Sequence, residues 1–387
     1  MAKDPIAFHK KLEGKIFVQS KLEKISPKDI KLIYTPGVAK VCKEISKDPK
    51  QKFSLTSKAN NVAIVTDGTR VLGLGNIGPD AALPVMEGKA MLYRKYGNVS
   101  AYPICLSTTN KKEIIDTVIA IEPVFGAINI EDIESPKVLE IAQELDNRLK
   151  IPVFHDDGQG TAMVALAAVI NSLKLANKKI SDVKTVIVGS GSAGYWIAKL
   201  FSHAGCRNLV VVDSQGAIYQ GRKNTNKFKK EIANITKPKV RGTLDECLID
   251  ADVFIGVSGI KNLLKKEMIQ KMNKNPIILA LTNPDPEITP KLAKQAGAKI
   301  VATGSYNYSN QVNNALVFPY FMRAILDLRI RNITLDVLYN ASLAIADTLT
   351  RKELSPDKII PDISDKRIQS RVTKSLKNLK LPNINQR

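Results

Sequence analysis

The sequence predicts an α/β protein in which an N-terminal domain is followed by a doubly wound, Rossmann-type domain. The chain has 387 residues, 44% of them hydrophobic, which is enough to bury a sizeable core and to form two or three domains. Short apolar runs alternate with helical segments, as is typical of a parallel sheet covered by helices. Two of these runs end in adjacent carboxylates, and a third leads into a glycine-rich turn. Polar groups at the carboxyl ends of such strands face the crevice where ligands bind.

Composition and charge favour an ordinary globular chain in a reducing compartment. The net charge is +21, but the lysines are spread along the chain. We therefore expect a solvated basic surface that attracts small anions and has no specific nucleic-acid partner. The longest apolar stretch, 162–173, is short for a membrane span, and the N-terminus lacks the apolar segment of a signal peptide. The four cysteines have neither metal-binding nor disulfide spacing. We expect reduced, mostly buried thiols in a cytoplasmic protein without membrane association.

The most specific motif is a strand, a glycine-rich turn and a helix between residues 183 and 203. The turn has the spacing Gly-x-Gly-x-x-Gly, and the next strand, about 20 residues further on, ends in Asp213, where an acidic residue binds ribose hydroxyls. This context predicts a dinucleotide cofactor. Its proposed contacts in the turn are Gly189, Ser190, Gly191, Ser192, Ala193 and Gly194.

Two carboxylate pairs predict a metal site. Glu131 and Asp132 follow the apolar run 125–130, and Asp156 and Asp157 follow the next apolar run. A helix cap explains either pair alone, but it does not account for both. Glu131, Asp132 and Asp157 supply three oxygen ligands of the kind that Mg²⁺ or Mn²⁺ prefers, with Asp156 beside them.

Two further side chains stand out in the N-terminal part of the chain. Lys89 shares one side of the predicted helix 86–96 with Leu92 and Tyr93, and an inward-facing lysine is costly unless it is paired or used. Tyr34 precedes a Pro-Gly turn, and for this residue both packing and function stay open.

Small and amide residues are placed to line a ligand groove. Ser258 and Asn283 follow apolar strands of the second domain. Asn313 and Asn314 precede an apolar helix, where amides act either as helix caps or as substrate donors.

The glycine-rich stretch 71–78 is not expected to bind a dinucleotide. Pro79 and Pro84 follow it, and they predict that no helix starts at the right place. Close backbone packing is the simpler explanation of these glycines.

Together these motifs resemble the malic enzyme family in its short bacterial and archaeal form. The match covers nearly the whole chain, in the order YTPGVA (34–39), VLGLGNIGP (71–79), EGKA (87–90), NIED (129–132), PVFHDDGQGTA (152–162), GSGSAG (189–194), TNPDPEI (282–288), NQVNN (310–314) and IIPDISDKRI (359–368). The resemblance implies an enzyme that oxidises L-malate to pyruvate and CO2 with NAD(P) and Mg²⁺ or Mn²⁺. It also implies a homodimer.

The resemblance assigns roles to individual residues. It implies that Tyr34 is the general acid and Lys89 the general base, and we expect burial and the cation to depress the pKa of Lys89. Arg70 stands where larger members of the family bind a substrate carboxylate, although short forms often lack that arginine. The implied metal ligands are Glu131, Asp132 and Asp157, with Asp156 as their neighbour, and the implied contacts with substrate or nicotinamide are Asn283 and Asn314, with Asn313 adjacent.

Two other functions remain open at this point. A malolactic enzyme, which holds NAD tightly and makes lactate, shares these motifs. A catalytically silent NAD-binding protein with a nucleic-acid-binding basic surface is the other alternative, but the retention of Tyr34, Lys89 and the carboxylates argues against it.

For the cofactor, Asp213 favours NAD, because the 2′-phosphate of NADP would bring like charge against it. Arg222 and Lys223 are the counterweight that keeps NADP possible. We expect a substrate domain over residues 1–153 and an NAD(P)-binding domain over residues 154–387. The helical segment after about Asn332 is expected to return toward the first domain.

Overall fold

Two β-sheets organise the chain, one in each half. The structure is a computed structural model that describes residues 4–236, 240–305 and 307–379. Helices cover both sheets, so the α/β fold class predicted from the sequence is confirmed.

The first sheet is entirely parallel, with the strand order β2-β1-β3-β4. Strands β1, β3 and β4 are buried along their whole length, which explains why their sequences are continuous apolar runs. The elements of this part are α1 (Pro5–Leu12), α2 (Pro27–Ile33), α3 (Val38–Lys47), α4 (Lys52–Leu55), β1 (Asn61–Thr66), α5 (Gly78–Gly97), β2 (Ser100–Cys105), α6 (Lys111–Ile121), β3 (Ala127–Ile130), α7 (Lys137–Arg148) and β4 (Val153–His155).

The second sheet has the order β10-β9-β8-β5-β6-β7, and all of its pairings are parallel except that of the short β7. Strand β5 lies between β8 and β6, so the strands that follow it in sequence are added first on one side of it and then on the other. A crevice opens at such a topological switch point. The elements are α8 (Thr161–Ala176), β5 (Lys184–Val188), α9 (Ser192–His203), β6 (Asn208–Asp213), β7 (Gly216–Ala217), α10 (Lys227–Ile235), α11 (Leu244–Leu248), β8 (Val253–Gly256), α12 (Lys266–Gln270), β9 (Ile277–Ala280), α13 (Pro290–Gln295) and β10 (Ile300–Thr303).

Helix α8 is the central helix of the molecule. A π-helical turn over Asp156–Gly160 joins it to β4, so that Asp156–Ala176 is the one described stretch long and apolar enough to cross a membrane by length and composition. Most of that stretch is buried inside the protein, and a core helix meets the same criterion. Its apolar composition is therefore explained by packing against α9 and against the C-terminal helix α15 (Leu335–Ala346).

The C-terminal segment packs back onto both halves. It forms α14 (Phe318–Asp327), α15 (Leu335–Ala346) and α16 (Arg367–Lys377). Helix α14 packs on α5, and α15 packs on α8. The Arg331 guanidinium donates to the carbonyl oxygens of Asp146 and Leu149 at the end of α7. The domain boundary predicted after residue 153 falls inside β4 and stays a prediction.

Residues 4–57, which we call the N-terminal arm, lie outside both cores. The arm contains α1 to α4, and none of its residues is buried. Lys15 ties it to α5, because the Lys15 backbone N–H donates to Glu87 Oε2 at 3.3 Å and its Nζ donates to the Pro84 carbonyl oxygen at 2.6 Å. Several apolar side chains on these helices are exposed.

One expectation about the glycine-rich stretch is wrong. Helix α5 begins at Gly78, directly after the glycines, with Pro79 in its first turn and Pro84 inside it. Proline is favourable in the first turn of a helix because the N–H that it lacks has no partner there. Helix α5 therefore starts eight residues before the predicted Met86.

Candidate active site

Three carboxylates meet at the carboxyl ends of β3 and β4. Glu131, Asp132 and Asp157 each place one oxygen within 4.8 Å of the others. The Asp132 backbone N–H donates to Asp157 Oδ2 at 2.8 Å, and the positive φ of Asp132, 50°, bends the chain so that this contact forms. Burial first, and then the neighbouring negative charges, raise the pKa values of Asp132 and Asp157 above their ordinary range.

These carboxylates fit a divalent cation. Asp132 Oδ2 is buried and has no hydrogen-bond partner in the described part of the chain. Such a buried acceptor, within reach of two further carboxylates, matches the oxygen-rich donor set that Mg²⁺ and Mn²⁺ prefer. The predicted ligand set is thus brought together.

Lys89 lies against the same cluster. Its Nζ donates to Glu131 Oε1 at 2.6 Å and to Asp156 Oδ2, and it sits 4.2 Å from the centre of the Phe318 ring. Burial opposes the charge of Lys89, but the carboxylates of Asp156, Glu131 and Asp157 outweigh it and raise the pKa. The expected depression of this pKa is therefore wrong for the protein without a cation.

A buried hydrogen-bond chain holds Lys89 and the carboxylates in place. The Tyr93 hydroxyl donates to Asn129 Oδ1 at 2.6 Å, and Asn129 Nδ2 donates to Glu131 Oε2 at 2.9 Å. On the other side, Asn314 Nδ2 donates to Asp156 Oδ2 at 2.7 Å. Sequence reasoning missed Asn129, whose one signal is that a polar residue interrupts an apolar strand.

The π-helical turn depends on small residues. A Cβ on Gly158 would lie 2.3 Å from Trp196 Cδ1, and a Cβ on Gly160 would lie 2.0 Å from Asp156 Oδ1. These distances are far shorter than van der Waals contact. Only glycine at these positions therefore lets Asp156 and Asp157 enter the site while α8 stays packed against α9.

The dinucleotide turn has the form that the sequence predicts. Gly189 has a φ of 111°, and a Cβ there would meet the Val257 carbonyl oxygen at 2.5 Å. A Cβ on Gly194 would lie 1.8 Å from the Gly189 carbonyl oxygen, so this residue allows α9 to pack against the strand. A Cβ on Gly191 would meet nothing within 4 Å, which leaves the open space that a pyrophosphate needs.

At the other end of the cofactor groove, Asp213 already has two cationic partners. Arg222 forms a bidentate pair with it, at 2.9 Å to Oδ1 and 2.5 Å to Oδ2, and Lys229 Nζ donates to Oδ2 at 2.7 Å. Burial opposes the charge of Asp213, but these hydrogen bonds lower its pKa to about 2. Sequence reasoning identified Arg222 but named Lys223 as its companion instead of Lys229.

A cavity of about 320 Å³ joins the carboxylates to the glycine turn. It also reaches the carboxyl ends of β8 and β9. Of the predicted site residues, those that line it are Arg70, Glu131, Asp132, Asp157, Gly191, Ser192, Ala193, Asn283, Asn313 and Asn314. Arg70 closes one side, because a Cβ on Gly259 would lie 3.0 Å from its guanidinium.

Two of the predicted residues also have structural partners. The Ser258 hydroxyl donates to Glu287 Oε1 at 3.0 Å, and the same buried carboxylate accepts from Thr282. Asn313 caps the short helix before α14, since its Oδ1 accepts from the Ala315 N–H at 2.9 Å. Glu287 was missed because its partners lie on two different strand ends.

Tyr34 is not brought to the cavity. It ends α2 in the N-terminal arm, and 69% of its surface is exposed. The sequence places it in an ordered series with the other motifs, but within one chain the structure does not bring it together with Lys89.

Fold and site together define a class of protein: a two-domain α/β protein with a dinucleotide crevice beside a carboxylate-lined cavity. The family model described as the malic enzyme NAD-binding domain matches residues 158–375, and the malic enzyme N-terminal domain matches residues 11–115. The chain belongs to the malic enzyme family, as the sequence motifs indicate.

Relatives and solved structures agree with this assignment. The bifunctional malic/malolactic enzyme of Bacillus subtilis is 47% identical over 97% of this chain and 92% of its own length. The NAD-dependent malic enzyme of Geobacillus stearothermophilus is 46% identical over 94% of this chain and 76% of its own length. A crystal structure of the NAD-dependent malic enzyme of Thermotoga maritima is 46% identical, covers 97% of this chain and 99% of its own, and has a TM-score of 0.92.

Proposed function

We propose that the chain oxidises and decarboxylates L-malate to pyruvate and CO2 with NAD(P) and a divalent cation, Mg²⁺ or Mn²⁺. One observation carries the proposal: the carboxylate cluster and the glycine turn line one cavity, with Lys89 hydrogen-bonded to Glu131 at its edge. Hydride transfer requires the hydroxyl carbon of the substrate to lie next to the nicotinamide, and a shared cavity supports this arrangement.

Glu131, Asp132 and Asp157 would hold the cation. When bound there, the cation supplies Lewis acidity toward the oxygens of an α-hydroxy acid, and the nicotinamide supplies the hydride acceptor. The fit rests on the three converging oxygens and on the unpartnered Asp132 Oδ2.

Lys89 is the proposed base for the substrate hydroxyl, and because the surrounding carboxylates raise its pKa, its ammonium must lose a proton before it can accept one from the substrate. Its Nζ is buried, and two carboxylates and the Phe318 ring fix its position, so the nitrogen that exchanges the proton is held still. The buried carboxylate of Asp156 accepts a hydrogen bond from Lys89 Nζ, which makes Asp156 the group that orients Lys89.

Arg70 and the asparagine amides are proposed to bind the substrate. Arg70, Asn283 and Asn314 line the cavity and offer N–H groups to carboxylate oxygens. Loss of the second carboxyl group leaves an enolate that needs a proton at carbon, and Tyr34 is the proposed donor.

A second outcome is lactate. The Bacillus subtilis relative is named as both malic and malolactic, so this site type is compatible with a cofactor that stays bound and returns its hydride to pyruvate.

The product assay separates these functions. The purified chain is mixed with L-malate, Mn²⁺ and either NAD or NADP, and pyruvate and lactate are measured over time. The malic assignment predicts pyruvate together with free reduced cofactor. Lactate without free reduced cofactor would favour the malolactic outcome, and no malate consumption with either cofactor would contradict both.

A further inference from the structure

Glu287 is a fully buried carboxylate that the proposed chemistry leaves unused. It accepts hydrogen bonds from the backbone N–H and the hydroxyl of Ser258, at 3.1 and 3.0 Å. It also accepts from the backbone N–H and the hydroxyl of Thr282, at 3.2 and 2.5 Å. Within residues 4–236, 240–305 and 307–379, no lysine, arginine or histidine forms an ion pair with it. Four neutral donors alone therefore solvate this carboxylate.

The hydroxyl protons of both partners are directed at Glu287. Thr282 Oγ1 accepts from the Gly259 N–H at 3.0 Å, and Ser258 Oγ accepts from the Ile260 N–H at 3.1 Å. A hydroxyl that accepts from an amide in this way still has its own proton to donate to the carboxylate. All four contacts thus bring a hydrogen to Glu287, as expected around a negatively charged carboxylate.

Glu287 lies directly behind one wall of the active-site cavity. At the carboxyl ends of β8 and β9, the residues that line this cavity are Val257, Gly259, Leu281, Thr282 and Asn283. Because Thr282 contacts Glu287 and also lines the cavity, a single layer of protein separates the charge from the cavity. A Cβ on Gly256 would lie 2.4 Å from Glu287 Cδ, so glycine at the end of β8 leaves the room that the carboxylate occupies.

This wall belongs to the nicotinamide side of the cofactor groove. Asp213 at the end of β6 marks the adenosine side, and the glycine turn after β5 marks the position of the pyrophosphate. The other half of an extended dinucleotide then runs in the opposite direction, over β8 and β9. The carboxylate of Glu287 is therefore placed behind the part of the groove that takes the nicotinamide.

A charge in this place distinguishes the two forms of the cofactor. The nicotinamide ring carries a positive charge in NAD and none in NADH, because reduction adds a hydride to it. A negative charge that no cation compensates stabilises the oxidised ring relative to the reduced ring. The effect is stronger where water is excluded, and Glu287 is fully buried.

We propose that Glu287 sets the preference of the site for oxidised over reduced cofactor and thereby favours the release of NADH. The preference in binding rests on the dinucleotide site alone. Its consequence for the products rests on the proposed function. A site that holds NADH weakly releases it together with pyruvate. A site that retains NADH lets its hydride return to C2 of pyruvate, while the carbonyl oxygen takes a proton from solvent, and lactate is formed.

Titrations with NAD and with NADH at saturating Mg²⁺ and without malate test the proposal. Glu287→Gln keeps the size of the side chain and removes its charge. The ratio of the Kd for NAD to the Kd for NADH should therefore rise about tenfold, the scale of one charge acting across one layer of protein. Glu287→Asp keeps the charge and should hold this ratio within about threefold of the wild type. Glu287→Met is a second neutral variant, so the result does not depend on the folding of one protein.

The matched control is Asp252, a buried carboxylate at the opposite end of β8 that pairs with Lys178 at 2.5 Å. Asp252→Asn should leave the ratio of the two Kd values unchanged. If the neutral variants of Glu287 lost affinity for NAD and NADH by the same factor, Glu287 would only support the loop, and the proposal would be overturned.

A product assay separates this proposal from the proposed function. With L-malate and Mn²⁺, Glu287→Gln should form a larger share of lactate than the wild type, and an unchanged share would overturn the predicted effect on release. A wild-type chain that consumes no malate would count only against the proposed function, because the two Kd values are measured without malate.

Discussion

At the carboxyl ends of β3 and β4, three carboxylates lie closer together than their charges favour; Glu131 and Asp132 are buried and Asp157 is half-buried. Their ligand oxygens are within 4.8 Å, and burial raises the pKa values of Asp132 and Asp157. A protein retains such an arrangement when a cation compensates it. Both the stability of the protein without a cation and its affinity for the cation can be measured.

We predict that Asp157→Asn weakens metal binding without lowering the stability of the protein. The variant should bind Mn²⁺ at least about tenfold more weakly, because it loses an anionic ligand. Without metal it should be as stable as the wild type or more stable by about 1 kcal/mol, because it relieves repulsion. Calorimetric titration with Mn²⁺ and thermal unfolding in chelator test both parts. Unchanged Mn²⁺ affinity would contradict the ligand assignment.

Cofactor choice is predicted to depend on opposing charges around Asp213. Removing Arg222 leaves Asp213 less compensated, so Arg222→Ala should shift the ratio of kcat/KM for NAD over NADP about tenfold toward NAD. Asp213→Ala frees Arg222 and Lys229 and should shift the ratio toward NADP.

The matched control for cofactor choice is Lys223→Ala, which should leave the ratio unchanged. Binding of 2′,5′-ADP compared with 5′-AMP gives the same comparison without turnover. Equal shifts in Arg222→Ala and Lys223→Ala would show that the bidentate pair does not set the choice.

Residue identities could be predicted where a local pattern determines them. Helical spacing predicts that Lys89 faces inward, and the ends of apolar runs predict the carboxylates. The pKa of Lys89 could not be predicted, because its direction depends on Asp156 and Glu131, which reach it from two other elements. Lys229 was missed for the same reason: it approaches Asp213 from α10, and no spacing rule connects the two.

At the scale of elements, different glycines of the turn between β5 and α9 serve helix packing and cofactor binding. A Cβ on Gly194 would meet the Gly189 carbonyl oxygen, whereas a Cβ on Gly191 would enter open space. The two glycines are therefore present for different reasons, although one sequence motif contains both.

We predict that alanine at these two positions has different effects. Gly194→Ala should lower the free energy of unfolding by about 1–3 kcal/mol, because the backbone must move to admit the methyl group. Gly191→Ala should leave thermal stability unchanged and weaken cofactor binding at least about tenfold, because the methyl group occupies the space of the pyrophosphate. Unfolding curves and NAD titrations test this, and equal stability losses would contradict it.

Elements were predicted well where apolar runs are bounded by turns or polar residues. The strand, glycine-rich turn and helix predicted between residues 183 and 203 are observed as β5, its turn and α9, and the next strand, β6, ends in Asp213 as predicted. The π-helical turn over Asp156–Gly160 could not be predicted, because it depends on the packing of Gly158 against Trp196 of another helix. The start of α5 was missed because proline interrupts a helix interior but is favourable in its first turn.

At the scale of the whole molecule, the site combines segments from across the chain. Lys89, Glu131, Asp157 and Asn314 converge although they are distant in sequence, and the resemblance to a family anticipated their convergence better than any local pattern. The position of Tyr34 is the exception, because the resemblance groups it with Lys89, whereas the structure leaves it exposed on the N-terminal arm.

The assignment of Lys89 and the carboxylates to malate oxidation is tested most directly by following two products at once. Reduced cofactor and pyruvate are measured in the same reaction of the wild-type chain with L-malate, NAD and Mn²⁺, and in a parallel reaction of Lys89→Ala. We expect equal rates of the two products in the wild type and neither product above background in Lys89→Ala or in excess chelator. Reduced cofactor formed by Lys89→Ala at the wild-type rate, or full turnover in chelator, would contradict it.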